Sequence, residues 1–583
     1  MVKTITEKWT IRKILLVVIS FLRLSVYAET CYISSIGNDT KGDGSINSPW
    51  KSLYKACEQI KTPGDTIYVL AGTYFENRQC NLAAGVSIKG EGIVSLIKSN
   101  LSTAFQVTII LHSNKEGTNG NQSISNIKMD GCNLTAWGAI QINGRSNVSI
   151  HDCYFVDFLS TAVIFNAAYT YVNNEPKVYA TENKFFNNVI INCSEHPFGI
   201  DNSSGALQIG GQDGMSIFKN HMTQTGRPAG QNGFVIKYYS NGYNKNLKIH
   251  NNTIIKEQYS GYDWDYDFAV ELWHCRGGIE IFENRIIGAI DFGGSNGDCV
   301  VKGDYDYGVF LHNNHIGPDT LRNHRENGIY LELGITDVII SRNYFQNMND
   351  HIILSPGSGH KSFNVSINYN IFKGVGIDAA GWNGYGIRYY IGTTGSEVED
   401  LNIFNNVFYA GEDQDQNLAA IGIPAVGLTR NVNIRNNIIV GFDLAPVYSD
   451  GKLGQIVENL IIENNILYRN ANRNKILLEN LTPANYTNSD NIKGNPKFLD
   501  RDDFHLSRWS PGIKKGQTMD DLLIDFDGIR VGTPPNIGCF ETTGEKYHSI
   551  VRKYVKPAGL GFLLILVMSL STWIIYKHRS SKR

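Results

Sequence analysis

Hydrophobic and polar positions alternate with a period of two through most of residues 100–500. One pattern recurs: apolar, any, apolar, two polar, Asn or Cys, any, apolar. It reads VSIHDCYF from 148, VYATENKF from 178, LKIHNNTI from 247, VSINYNIF from 365 and LIIENNIL from 460, with eleven copies in all. A period of two puts successive side chains on opposite faces, so each copy predicts a strand and not a helix. The steps between copies run from 27 to 37 residues. That is too short for a four-stranded propeller blade and fits one coil of a parallel β-solenoid. Coils stack about 4.8 Å apart, so about twelve of them predict a rod of roughly 55 Å.

The sixth position of the pattern is Cys153, then Asn183, Asn220, Asn252, Asn284, Asn314, Asn343, Asn370, Asn406, Asn437 and Asn465. Asparagines at one register stack their amides coil over coil and satisfy the peptide groups of a bend. The row is therefore read as a structural ladder. A leucine-rich repeat is excluded, because its LxxLxL spacing does not occur.

A solenoid needs covered ends. SPWKSLYKACEQI (48–60) predicts an amphipathic helix capped by Ser48-Pro49, and a strand follows from Asp65 to Val69. The stretch from YISSIGND at 32 to GTYFE at 76 resembles the N-terminal cap of the pectate-lyase-like, right-handed parallel β-helix superfamily. NPKFLDRDDFHLSRWSPGIKKG (495–516) and PPNIGCFE (534–541) resemble its terminal segment, with Lys514 where the family usually has Asp. The resemblance covers residues 31–541. It implies an all-β fold: a single right-handed parallel β-helix with an N-terminal cap over 29–100 that carries the cap helix, coils over 101–500 and a C-terminal cap over 501–550. One such fold hosts lyases, hydrolases, epimerases and non-enzymes, so the activity has to be argued from the site.

Composition then changes the picture in three ways. A length of 583 residues suggests about four domains, but stacked coils share one core, so the repeat reduces them to one. Basic residues (53) and acidic residues (55) nearly cancel to a net charge of −2, which argues against nucleic acid as partner. With 42% hydrophobic residues the chain is not disordered, and a mean hydropathy of −0.22 excludes a polytopic membrane protein.

The termini predict location. Lys3, Lys8, Arg12 and Lys13 precede an apolar run from Ile14 to Leu22 and a small residue at Ala28, which reads as a signal peptide over 1–28. Ala558 to Tyr576 carries no charge. At 1.5 Å per residue it is about 28 Å long, enough for a transmembrane helix over 558–576. The basic tail 577–583 then stays inside and the large domain faces out, at the cell envelope or surface. A sorting signal is the rival reading of the same segment. The cysteine count of nine is odd, so at least one thiol is unpaired, and no CxxC metal spacing occurs.

Candidate chemistry comes from the strand before each ladder strand. Aligned by distance to the ladder, FVIKYY at 234, FAVELW at 268, CVVK at 299 and GIYLEL at 328 place Lys237, Glu271, Lys302 and Glu332 in one outward row. Such a row is either a solvated ladder of ion pairs or a catalytic groove whose charges shift one another's pKa. Tyr238, Tyr239, Trp264, Trp273, Tyr389 and Tyr390 flank it with ring faces suited to sugars. A polysaccharide lyase acting by β-elimination on an acidic glycan would use Lys237 or Lys302 as base and Arg388 to neutralise the uronate. Glu271, Glu332 or the loop Asp263, Asp265, Asp267 could hold Ca²⁺. An inverting glycoside hydrolase would use Glu271 and Glu332, about 10 Å apart. A non-catalytic, membrane-tethered glycan-binding or adhesin rod is the third reading. His196, His274, His351 and His360 are scattered and form no metal motif. The expected partners are a polysaccharide or cell-surface glycan, and the membrane through the C-terminal helix.

Overall fold

A computed structural model of the chain describes residues 28–173, 175–197, 204–225, 230–240, 242–257, 268–294, 298–320, 327–375, 384–389, 395–411, 417–423, 427–449, 455–479, 481, 485–519 and 524–541. They form two compact units divided between Ile279 and Glu280. In both units most coils give one short strand to each of three sheets, called here I, II and III, and pairing between neighbouring coils is parallel.

In the first unit sheet II runs through Cys80–Asn81, Val107–His112, Gly138–Asn143, Thr161–Asn166, Gly205–Gly210, Phe234–Tyr238 and Phe268–Trp273. In the second it runs through Ala289–Gly293, Asn327–Glu332, Asp350–Ser355, Gly384–Tyr389, Asn417–Gly422, Ala445–Ser449 and Leu477–Leu478. Alternate residues point inward and stack in register. Ile140, Val163, Leu207, Ile236 and Val270 form one such file in the first unit, all fully buried, each burial favouring folding by about 1.5–3 kcal/mol.

A tight bend joins each strand of sheet I, such as Lys248–His250 and Val309–His312, to one of sheet III, such as Thr253–Lys256 and His315–Ile316. The residue before the ladder position is left-handed at every coil: Lys219 (φ 56°), Asn251 (55°), Asn313 (56°) and Asn405 (53°) are examples. Asparagine tolerates that conformation better than most residues. The ladder itself is as the repeat predicts, with one correction and one extension. In the first unit it runs Cys153, Asn188, Asn220, Asn252. Asn188 takes the position expected of Asn183, because the sheet I strand of that coil is Lys184–Phe186, paired with Ser149 to His151. Asn183 instead accepts from the Val148 N–H and donates to Gln212 Oε1 at a different bend. In the second unit the ladder runs Asn284, Asn314, Asn343, Asn370, Asn406, Asn437 and Asn465, and continues to Asn491.

The N-terminal helix spans Leu53–Gln59, and its cap is Ser52, not Ser48: the Ser52 hydroxyl accepts from the Lys55 N–H. Glu76 also accepts from the Leu53 N–H at 2.7 Å. Phe504, Leu506, Ile537 and Phe540 from the C-terminal segment pack on Val407, Ile438 and Ile466 of sheet III. No disulfide joins any of the nine cysteines. The predicted signal peptide (up to residue 27) and the predicted transmembrane helix lie outside the described residues. Among the described residues no helix is long and apolar enough to cross a membrane.

Candidate functional site

Sheet II of the first unit carries one outward row in register: Gln141, Ile164, Gln208, Lys237 and Glu271. Strand alternation places it there, since the neighbours Ile236 and Val270 belong to the core. Although they face away from the core, Lys237 and Glu271 keep only 6% and 5% of their surface exposed. Lys237 Nζ donates to Glu271 Oε2 and forms an ion pair with it. The ammonium also sits 3.8 Å from the ring centre of Phe234 and 4.5 Å from that of Tyr238, a cation–π arrangement. Gly205 on the preceding strand leaves room for it, because a Cβ there would meet Lys237 Cβ at 2.7 Å.

Burial raises the proton affinity of Glu271. Lys237 and then Lys256 act against that, and the carboxyl stays above its ordinary value. Beside the pair, Tyr238 and Trp273 stack at 4.8 Å with planes 14° apart. His274 is fully buried; burial, then the charge of Arg276, hold it down at about 4, so it is neutral near pH 7. An amide strip continues along the same face. Asn166 Nδ2 and Gln141 Nε2 both donate to Asn143 Oδ1 at 3.1 Å, and Tyr171 Oη donates to Asn166 Oδ1.

The second unit does not continue the expected pattern. Its outward row on sheet II is Asp291, Tyr330, Ile353 and Arg388. Lys302 lies in a turn after Asp298–Val300, a strand that pairs in sheet I, and its ion pair is with Asp337 at 3.7 Å. Glu332 falls two residues beyond Tyr330, opposite Ser355. The four-residue charge row is therefore reduced to the Lys237–Glu271 pair. Arg388 is engaged by Asp350, 3.2 Å from its Nη1, and Asp350 is fully buried and also accepts from the Tyr385 N–H.

Tyr238, Tyr239 and Trp273 are half-buried beside the pair, whereas Tyr389 is buried and presents no open ring face. Trp264, Tyr390, Asp263, Asp265 and Asp267 lie outside the described residues. Among the described residues no three His, Cys, Asp or Glu side chains converge on a metal position. Asp291, Asp350 and the amides of Gln141, Asn143 and Asn166 were not visible as site residues in the repeat. Only the strand AIDFG (289–293), with its polar residue in an apolar run, gave a signal.

Neither a family model nor a curated protein sequence matches the chain. Among solved structures it is similar to a mutant tailspike protein of E. coli bacteriophage HK620 in complex with a pentasaccharide (TM-score 0.49, 12% identity, 75% of this chain and 77% of that one). It is also similar to the catalytic unit of a GH87 α-1,3-glucanase from Streptomyces thermodiastaticus (0.39, 11%, 77% and 69%). A third is a mannuronic acid specific polysaccharide family 6 lyase from human gut microbiota (0.38, 12%, 75% and 88%).

Proposed function

We propose that the protein cleaves an acidic polysaccharide by β-elimination on the outer face of sheet II, with Glu271 moving the proton and Lys237 facing the substrate carboxylate. One observation carries the reading: a Lys–Glu pair is buried on an outward strand face, next to a stacked Tyr–Trp pair and a strip of amides. Burying an ion pair stabilises a fold poorly, because desolvation offsets the attraction. A site that must hold opposite charges away from water has a use for it.

The roles differ from the simplest expectation for two lysines. Glu271 keeps the proton on Lys237, so Lys237 is a cation and not a base. It is placed to neutralise a uronate carboxylate and so acidify the adjacent C–H. The Glu271 carboxylate, its proton affinity raised by burial, takes that proton. The C–H electron pair becomes the new C=C bond, the glycosidic C–O bond breaks, and the leaving oxygen takes a proton from water or from Glu271. Ring faces at Tyr238 and Trp273 and amides at Gln141, Asn143 and Asn166 would orient the chain. Inverting hydrolysis by Glu271 and Glu332 is less well supported, because Glu332 is displaced from the row of its own unit. A polymeric substrate suits the exported, surface-held location read from residues 1–28 and 558–576.

A panel of acidic and neutral polysaccharides, read by ultraviolet absorbance and by reducing ends, tests this. Both signals should rise together on an acidic polymer. Reducing ends without absorbance would mean hydrolysis, and neither signal on any polymer would favour the binding rod.

A further inference from the structure

The outer face of sheet I in the second unit holds a groove of about 690 Å³ that the reaction above does not use. Two in-register rows build it. One is Phe310, Ile339, Ser366 and Asn402; the other is Ser341, Asn368 and Phe404. Met519 and Ile524 from the C-terminal segment and Tyr307 from the loop before Phe310 complete its walls. The floor is a fixed polar chain: Ser341 Oγ donates to Asn368 Oδ1 at 2.7 Å, and Asn368 Nδ2 donates to Ser366 Oγ at 2.9 Å. Ser341 and Asn368 are buried. A volume of this size, aromatic walls and a few preset polar groups are what an oligosaccharide site needs.

The charge of Arg342 gives the ligand its class. Arg342 occupies the left-handed bend position (φ 55°) before Asn343 and lines the groove. Its Nη1 donates to Ser341 Oγ at 3.2 Å and its Nε to Asn313 Oδ1 at 3.4 Å, both neutral partners. Among the described residues no carboxylate forms an ion pair with it. The acid whose field reaches it, Asp525, has its oxygens taken by the N–H groups of Asp527, Ile529 and Glu541. Of the two acids lining the groove, Asp337 is paired with Lys302 and accepts from Asn364, and Asp306 is exposed. A partly desolvated guanidinium without a counterion is a ready carboxylate partner.

We propose that this groove is a second glycan site that holds a uronate-bearing oligosaccharide, with a substrate carboxylate on Arg342 and sugar rings against Phe310 and Phe404. The groove spans four coils, roughly 14 Å, which suits an oligosaccharide better than a monosaccharide. The proposal rests on the acidic-glycan reading of sheet II and gives the chain a hold on the polymer away from the reacting bond.

The test uses the full chain carrying Glu271→Gln, so that ligand is bound without being cut. Hexasaccharides of galacturonate, mannuronate, guluronate and glucuronate are titrated calorimetrically, each beside its carboxyl-reduced form. At least one uronate hexasaccharide should bind while its reduced form does not. Adding Arg342→Gln should weaken a binding step at least tenfold with the melting temperature held. Phe404→Ala, on the groove rim, should do the same and carries the test if the arginine variant misfolds. Binding unchanged in both variants, or no binding by any of the four, overturns the proposal. Failure of the sheet II reading looks different: the chain with Glu271 intact would yield no unsaturated product while Arg342-dependent binding persisted.

Discussion

Asn343 Oδ1 receives two N–H groups from Asn314 at once, the backbone amide at 3.0 Å and the side-chain amide at 2.9 Å. Asn343 Nδ2 in turn donates to the carbonyls of Leu311 and Ser341, and both asparagines are buried. Asn343→Ala strands the Asn314 backbone N–H and removes a donor from Leu311 O, while Asn314 Nδ2 keeps Ile281 O and Ser341 O keeps the Asn313 N–H. At about 1–3 kcal/mol for each buried group left unpaired, the loss should be about 2 kcal/mol, measured as a fall in the urea midpoint. A change below about 1 kcal/mol would mean that the bend finds other partners.

Lys237 and Glu271 should be coupled in stability as well as in chemistry. Lys237→Met leaves a buried carboxylate without its cation and should cost about 3–5 kcal/mol. Adding Glu271→Leu removes the stranded charge and should restore most of that loss. A double variant no more stable than the single one would contradict the burial of the pair.

Product formation should separate this pair from the lysine that lies off the row. Glu271→Gln and Lys237→Ala should each lower the rate about a hundredfold or more. Lys302→Ala, which removes a half-exposed lysine from its ion pair with Asp337, should change it less than about twofold. Glu271 acts as a base, so activity falls when it is protonated. Its raised proton affinity then puts the acid limb of the pH–rate profile above the ordinary glutamate value of 4.5. A limb at or below 4.5 would exclude Glu271 as the group that titrates.

His351 packs against the stacked rings of Phe345 and Phe372, with ring centres at 5.7 and 5.6 Å, and neither ring nitrogen has a hydrogen-bond partner among the described residues. Burial pushes its pKa down to about 3. Below about pH 6.5 the unfolded chain takes up a proton here that the folded chain refuses, so stability is lost as pH falls. His351→Phe removes that loss. Melting curves should show the variant more stable than wild type, with the gap about 2 kcal/mol wider at pH 5 than at pH 7.5. An equal gap at both pH values would show that the imidazole is not buried as a neutral ring.

The coil and its asparagine were legible because the bend from sheet I to sheet III has constant length, so the pattern holds in every copy but one. The one slip, Asn183 for Asn188, arose where two left-handed residues, Glu182 and Asn187, each precede an asparagine. Only the pairing of Lys184 with Ser149 separates them. The charge row was less legible because the connection from sheet II to sheet I varies. It is short after Phe268–Trp273, whereas after Ala289–Gly293 the extra strand Asp298–Val300 and the turn that follows it come before Val309–His312. Counting back from Asn314 therefore reached Lys302, while Asp291 held the row. Arg388 and Asp350 meet across 38 residues, a distance over which no local pattern acts.

The ladder has a direction. From Asn284 to Asn465 every asparagine gives its backbone and side-chain N–H groups to the asparagine that follows it in the chain. During synthesis from the N-terminus, the acceptor for each bend is made about one coil later than its donors. A coil therefore cannot finish the hydrogen bonding of its bend without its successor, so an array cut after any of these coils would expose one bend with unpaired N–H groups, and Asn491, which donates to Ile462 O and Asn488 Oδ1, ends the series.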